Sequence, residues 1–217
     1  MNGSIAAVPH LIERTTNLFR SMLLDMASRL GTDADWHAAV MSVESGFRPA
    51  IRNPQGGATG LIQFMPNTAA HLGTSTDALA SMSAEEQLEF VEAYYRPFAG
   101  RMHSVEDVYM ATFMPSMVGR GSDNVVAVEG EKVYEVNRGL DRNHDGVITN
   151  GDVGATARAA LTAAGGRRIP VTHEEFEETS PLAKRLRSGC SGLRDIASHD
   201  GTSGVVDDDN YPYDKDS

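Results

Sequence analysis

The sequence holds a single cysteine, Cys190, in 217 residues. That excludes an intramolecular disulfide framework and any cysteine-built zinc cage, so stability must come from packing or from another kind of metal. No apolar run approaches the ~18 residues that a membrane span requires, so no membrane insertion is expected. Positive charge is scarce as well: 19 Lys and Arg face 30 Asp and Glu, for a net charge of -11. Duplex nucleic acid is thereby excluded as a partner, because phosphate binding relies on clustered basic side chains and released counterions. The apolar stretch from Ile5 to Ile12 is short, is broken by Pro9 and His10, and precedes the first basic residue, Arg14. It lacks the charged start and apolar middle of a secretory signal, and the protein is expected to begin in a cytoplasm. Internal repeats are missing, and so is any convincing period-two alternation.

What remains is an ordinary globular composition, 41% hydrophobic and 23% charged, arranged at helical spacing. Leu18, Met22, Met26 and Leu30 mark a helix within residues 11–30, which Gly31 ends. A second helix is expected over 34–44. Ser83 with Glu86 reads as a capping box for a helix carrying Leu88, Val91, Tyr95 and Phe98, and Ser104 with Asp107 as another start, leading into 108–113. Two further helices near 131–138 and 153–164 flank an aspartate-rich loop. The fold class is mainly α, with one domain over 1–165. Residues 166–217 read as a linker, with a short helix near Pro181 to Arg187, and then a flexible acidic tail: 199–217 hold six acidic residues and one basic residue, too little apolar surface to offset ordering entropy.

Chemistry first shows at Glu44. Trp36, Val40, Val43 and Phe47 form one apolar stripe, and at ~100° per residue Glu44 lies at its rim. Ser45 and Gly46 should stop the helix, since glycine readily adopts the left-handed conformation that closes one. Glu44 then sits in the last turn, where the negative end of the macrodipole and partial burial both disfavour a carboxylate. A carboxyl kept protonated is what a general acid for glycosidic cleavage needs. The following loop runs from Asn53 to Pro66, and its Gly56, Gly57, Ala58, Thr59 and Gly60 let a bulky ligand approach the backbone. Gln63 brings an amide donor and acceptor suited to sugar N-acetyl and hydroxyl groups. No Gly-Lys-Ser or Gly-Lys-Thr closes this loop, so it is not a phosphate loop.

Glu44-Ser45-Gly46-Phe47, then Pro49, Ala50, Asn53 and Pro54, and Gly57-Ala58-Thr59-Gly60-Leu61-Ile62-Gln63-Phe64-Met65-Pro66 with Thr68 and Ala69 resemble the soluble lytic transglycosylase domain, particularly its bacteriophage versions. The likeness is dense over about 34–72 and thinner to about 140. It implies a lysozyme-like, mainly α fold and cleavage of the bond between N-acetylmuramic acid and N-acetylglucosamine in peptidoglycan strands. It also implies Glu44 as the acid/base, Ser45 as the neighbour that positions it or the substrate, and Gly60, Gln63 and Phe64 along the glycan cleft. Many members carry Ala-Tyr-Asn in a later helix, where this chain has Ala111-Thr112-Phe113, so the tyrosine's role has no owner there. Tyr134 is the later candidate, matching loosely a tyrosine near the family's cleft. No second carboxylate stands out. Under the family's mechanism none is needed, since one glutamate serves as acid and then base and the product is a 1,6-anhydro sugar, whereas most glycosidases need two carboxylates. Asp33 and Asp35 precede the catalytic helix, and capping is the expected job of either.

Residues 141–152 follow the calcium-loop pattern. Asp141, Asn143 and Asp145 supply side-chain oxygens, Val147 a backbone carbonyl, Thr149 a direct or water-borne ligand, and Gly146 the bend. Asp152 stands where glutamate is usual, so affinity or geometry should be altered. An EF-hand-like, structural Ca2+ site is expected, stabilising the fold without gating chemistry. His37, His71 and His103 lack a zinc spacing and read as surface or cleft-edge residues. The methionines read as core filler. Rival functions are a muramidase on the same fold and a non-enzymatic, calcium-stabilised virion or glycan-binding module. The resemblance and the charge of the tail favour a phage protein, in the virion or in the host cytoplasm before release to the wall. Its tail would dock on virion proteins, because an acidic tail suits anionic walls poorly.

Overall fold

The computed structural model describes residues 3–173. Nine α-helices and four short strands are found among them: β1 (Gly3–Ala6), α1 (Leu11–Arg14), α2 (Asn17–Leu30), α3 (Ala34–Glu44), α4 (Pro66–His71), α5 (Thr76–Ala80), α6 (Ala84–Tyr95), α7 (Val105–Phe113), β2 (Val125–Val128), α8 (Lys132–Asn137), β3 (Val147–Thr149), α9 (Asn150–Ala163) and β4 (Arg168–Val171). The fold is mainly α, as the helical spacing predicts.

The expected first helix is in fact two. Thr15 is extended, and the Thr16 side chain accepts the Phe19 N–H, which restarts the helix as α2. Gly31 then closes α2 at φ 68°, in the left-handed conformation. The Ser83–Glu86 capping box opens α6 with both reciprocal bonds in place. Ser104 accepts the Asp107 N–H at the start of α7.

Helix α3 is the centre of the molecule, packed by α2, α7 and α9. Ala38, Ala39, Val40 and Met41 are all fully buried, so this helix is apolar around most of its circumference, as a core helix must be. His37 belongs to the same interior. Its expected place at the surface or cleft edge is wrong: it is 0% exposed, with Nε2 at 2.8 Å from Thr32 Oγ1 and its ring edge-on to Tyr95 at 4.7 Å. Burial holds this imidazole down at about 3, so it stays neutral. His71 and His103 are exposed, as expected.

Two small antiparallel ladders complete the fold, β1 with β4 and β2 with β3. The chain past residue 165 thus returns to its start. Asp35 fastens this junction by accepting the Ala6 N–H at 2.7 Å and pairing with Arg168 at 2.7 Å. Asp33 caps α3 by accepting the Asp35 N–H at 2.9 Å, so only one of the two aspartates is a helix cap. The helix expected near 181–187 and the acidic tail lie outside the described residues.

Candidate active site

Glu44 is the last residue of α3 and is half-buried. The helix ends where the sequence predicts, with Gly46 at φ 55°. Phe47 follows at φ 58°, a conformation that costs a bulky residue energy and persists only when its surroundings impose it. The surroundings do so here: Phe47 is buried, its ring edge-on to Phe19 at 6.1 Å. Gln63, at φ 56°, is strained in the same way. Two of the four non-glycine residues with positive φ among the described residues therefore flank the Glu44 turn and the glycine loop.

Two guanidinium groups close the end of α3. Arg14 Nη1 donates to Gly46 O at 2.9 Å, and Arg48 Nε donates to Ser45 O at 3.0 Å. They bond carbonyls just past the helix end and set positive charge against the negative end of its dipole. Gly46 leaves little choice of side chain, since its φ of 55° strains any residue that carries a Cβ.

The loop from Asn53 to Pro66 folds into two successive turns. Asn53 N–H donates to Ala58 O at 2.8 Å, and Thr59 and Phe64 exchange backbone bonds at 3.0 and 2.8 Å. Ser45 is only 1% exposed, and its hydroxyl lies within reach of Met41 O at 3.1 Å and Leu61 O at 2.9 Å. It joins the end of α3 to the loop from inside. Gly60 is buried at φ 86°. Gln63 is half-buried, and its Nε2 donates to Gly60 O at 3.0 Å. Phe64 is 2% exposed and packs edge-on against Tyr94 at 6.1 Å. Gln63 and Phe64, with Ile62, Met65, Thr68, Tyr94 and Thr112, line a shallow, open recess. Glu44 is not among these residues and meets α7 at Tyr109, one turn before Thr112.

Tyr109 is the site residue that the sequence reading leaves without a role. Its hydroxyl hydrogen-bonds the Glu44 carboxylate, and burial together with that neighbour raises the phenol well above its usual range. It therefore remains a donor. Tyr95 is also fully buried and raised well above its usual range, first by burial and then by Glu44 and Tyr109. Its hydroxyl has no hydrogen-bond partner among the described residues. The helical period offered the signal: Tyr109 lies three and four residues before Thr112 and Phe113, hence on the face of α7 that they occupy.

Residues 22–89 match the family model described as Transglycosylase SLT domain. The chain carries an SLT-like domain there. The match runs from within α2 into α6, and so spans Glu44, Ser45, Gly60, Gln63 and Phe64. Members of this family are lytic transglycosylases that act on peptidoglycan, and the mainly α architecture is consistent with a lysozyme-like SLT domain. No curated protein matches the chain. No helix among the described residues is long and apolar enough to cross a membrane.

Tyr134 and the aspartate-rich loop form a second polar centre, beyond the SLT match. Tyr134 is buried and its hydroxyl donates to Asp141 Oδ2 at 2.7 Å. That bond, assisted by burial, pushes the phenol up to about 12 and holds Asp141 below the usual carboxylate range. Asp141 also accepts the N–H groups of Asp145 at 3.2 Å and Gly146 at 3.0 Å. Asp145 Oδ1 accepts the Val147 N–H at 2.9 Å, and Asn143 Nδ2 donates to Asp145 Oδ2 at 2.9 Å. Val147 and Thr149 lie in β3, paired with β2. Asp152 closes a capping box with Thr149 at the start of α9. No group of three or more His, Cys, Asp or Glu stands ready to hold a metal among the described residues. The donor set is nonetheless all hard oxygen, of the kind calcium takes.

Proposed function

We propose that this protein is a lytic transglycosylase that cuts the β-1,4 bond between N-acetylmuramic acid and N-acetylglucosamine and leaves a 1,6-anhydro end. The observation that carries this reading is the place of Glu44, at the end of α3 and inside the stretch that matches the SLT family model. The two aspartates nearest it in sequence are committed elsewhere, Asp33 to capping α3 and Asp35 to Arg168 and Ala6. A neutral phenol, Tyr109, is instead the group bonded to Glu44.

One carboxyl can run both halves of the reaction. Glu44 gives its proton to the glycosidic oxygen as the bond from that oxygen to C1 breaks, and the substrate's own N-acetyl oxygen stabilises the electron-poor C1. The Glu44 carboxylate then takes the proton of the C6 hydroxyl as O6 bonds to C1, so no water is consumed. Gln63 would hold the glycan, Gly60 would shape the loop beneath it, and Tyr109 would orient the carboxyl for both transfers. Replacing Glu44 with Gln should abolish clearing of a peptidoglycan suspension. A variant that clears as fast as the parent would leave a binding module as the reading.

We further propose that residues 141–152 hold a structural Ca2+ through Asp141, Asn143, Asp145, the Val147 carbonyl, Thr149 and Asp152. The ion supplies charge neutralisation and a staple between α8 and α9, and no catalytic step passes through it. Reading the protein as a phage enzyme, carried in the virion or released at lysis with its acidic tail docked on a virion protein, rests on the same resemblance and on the charge of residues 199–217.

A further inference from the structure

Gln87 lies in the first half of α6 and is fully buried. Its amide joins three separate pieces of backbone. Oε1 accepts the Leu61 N–H at 2.9 Å, while Nε2 donates to Pro49 O and to Leu79 O, both at 2.7 Å. A primary amide has two N–H groups, and both are used. The orientation is fixed too, because the reversed amide would turn its oxygen toward two carbonyls.

Gln87 and Gln63 grip the two sides of the Gly60–Leu61 peptide, and Ser45 meets the carbonyl of the next one, on Leu61. Leu61 O lies 2.9 Å from the Ser45 hydroxyl, beside Glu44. Gly60 O accepts Gln63 Nε2 at 3.0 Å and the Gln63 N–H at 3.1 Å. A Cβ on Gly60 would stand 2.5 Å from Gln87 Oε1, and φ there is 86°, so the amide seats only against glycine.

We infer that Gln87 is a positioning residue for the cleavage: by holding the Leu61 N–H it fixes the backbone on either side of Leu61 Cα, which sets Gln63 through the Gly60 carbonyl and Glu44 through Ser45 at the Leu61 carbonyl. The inference rests on Glu44 being the acid/base. Gln87 touches no substrate and acts only through that backbone.

The test is the kinetics of Gln87→Met and Gln87→Glu on soluble glycan chains, beside Glu44→Gln. Met keeps the length and removes every polar atom, whereas Glu keeps an acceptor for Leu61 and regains one donor only when protonated. Both variants should lose about tenfold or more in kcat with a smaller change in KM, since a misplaced acid harms chemistry more than binding. The Glu variant, expressed relative to wild type at each pH, should recover as pH falls. Variants that melt earlier yet keep kcat and KM within about twofold overturn the inference and make Gln87 a stability residue alone. If neither variant folds, hydrogen exchange in wild type decides, because the Leu61 amide must exchange only through global unfolding. Exchange as fast as that of a turn amide such as Gln55 overturns it. An active Glu44→Gln sinks the reading of the site itself, whereas an inactive one beside unimpaired Gln87 variants sinks only the role of Gln87.

Discussion

The Tyr109 hydroxyl on α7 hydrogen-bonds the Glu44 carboxylate at the end of α3. Two helices that pack directly on one another thus meet at the one acidic group the proposed chemistry uses. Tyr109→Phe removes the bond and keeps the ring in the core. It should lower kcat by about tenfold, the scale of one lost hydrogen bond, with the far-UV spectrum unchanged. Full activity in Tyr109→Phe would show that Glu44 is oriented by other contacts.

His37 gives the fold an acid limit. The unfolded chain binds a proton on this ring near 6.5 and the folded protein only near 3, so the folded state is disfavoured wherever the ring would otherwise be charged. Its contribution is complete above about pH 7 and is lost as pH falls from 6.5 toward 3, reaching about 2 kcal/mol at pH 5. Urea unfolding at pH 7 and pH 5 measures the drop, and His37→Gln should flatten it. Equal slopes in both proteins would remove His37 as the cause.

Helices α7 and α9 approach at Gly154. A Cβ there would lie 2.8 Å from Glu106 Cα, and backbone does not yield as a flexible side chain can. Arg158 and Glu106 form an ion pair across the same seam. Gly154→Ala should destabilise the protein by about 1–3 kcal/mol through overpacking, although alanine is the better helix former. The urea midpoint reports it, and an unchanged or raised midpoint would mean that the two helices can separate freely.

Calcium in large excess over its dissociation constant should raise the melting temperature by roughly 5 °C or more, and a chelator should reverse the rise. Asp145→Ala should abolish the response. A melting temperature indifferent to both calcium and chelator would leave the loop as a set of Asx turns, bonded as Asp141, Asn143 and Asp145 already are to its own backbone.

The end of α3 was legible because its signals are local. Glu44, Ser45 and Gly46 adjoin one another, and a glycine after an apolar stripe closes a helix by its own conformational freedom. The capping box of α6 was legible for the same reason. Tyr109 was not, because its partner lies on another helix and only packing brings the two together. His37 misled for a related reason: a polar residue on a helix that is buried on nearly every side looks like a surface residue until its neighbours are known. The β1–β4 pairing joins four-residue strands from opposite ends of the described chain, too short for alternation to stand out, and one of them contains Pro170. Asp35 illustrates the same limit. Its place beside Asp33 suggested a cap, but Arg168 and Ala6 claim it.

The mass of the sugar ends released from peptidoglycan tests the central claim most directly. If Glu44 alone shuttles the proton and O6 closes on C1, digestion by the wild-type protein should yield N-acetylmuramic acid ends one water lighter than hydrolysis gives. Fully hydrated ends would contradict the account and make the protein a muramidase.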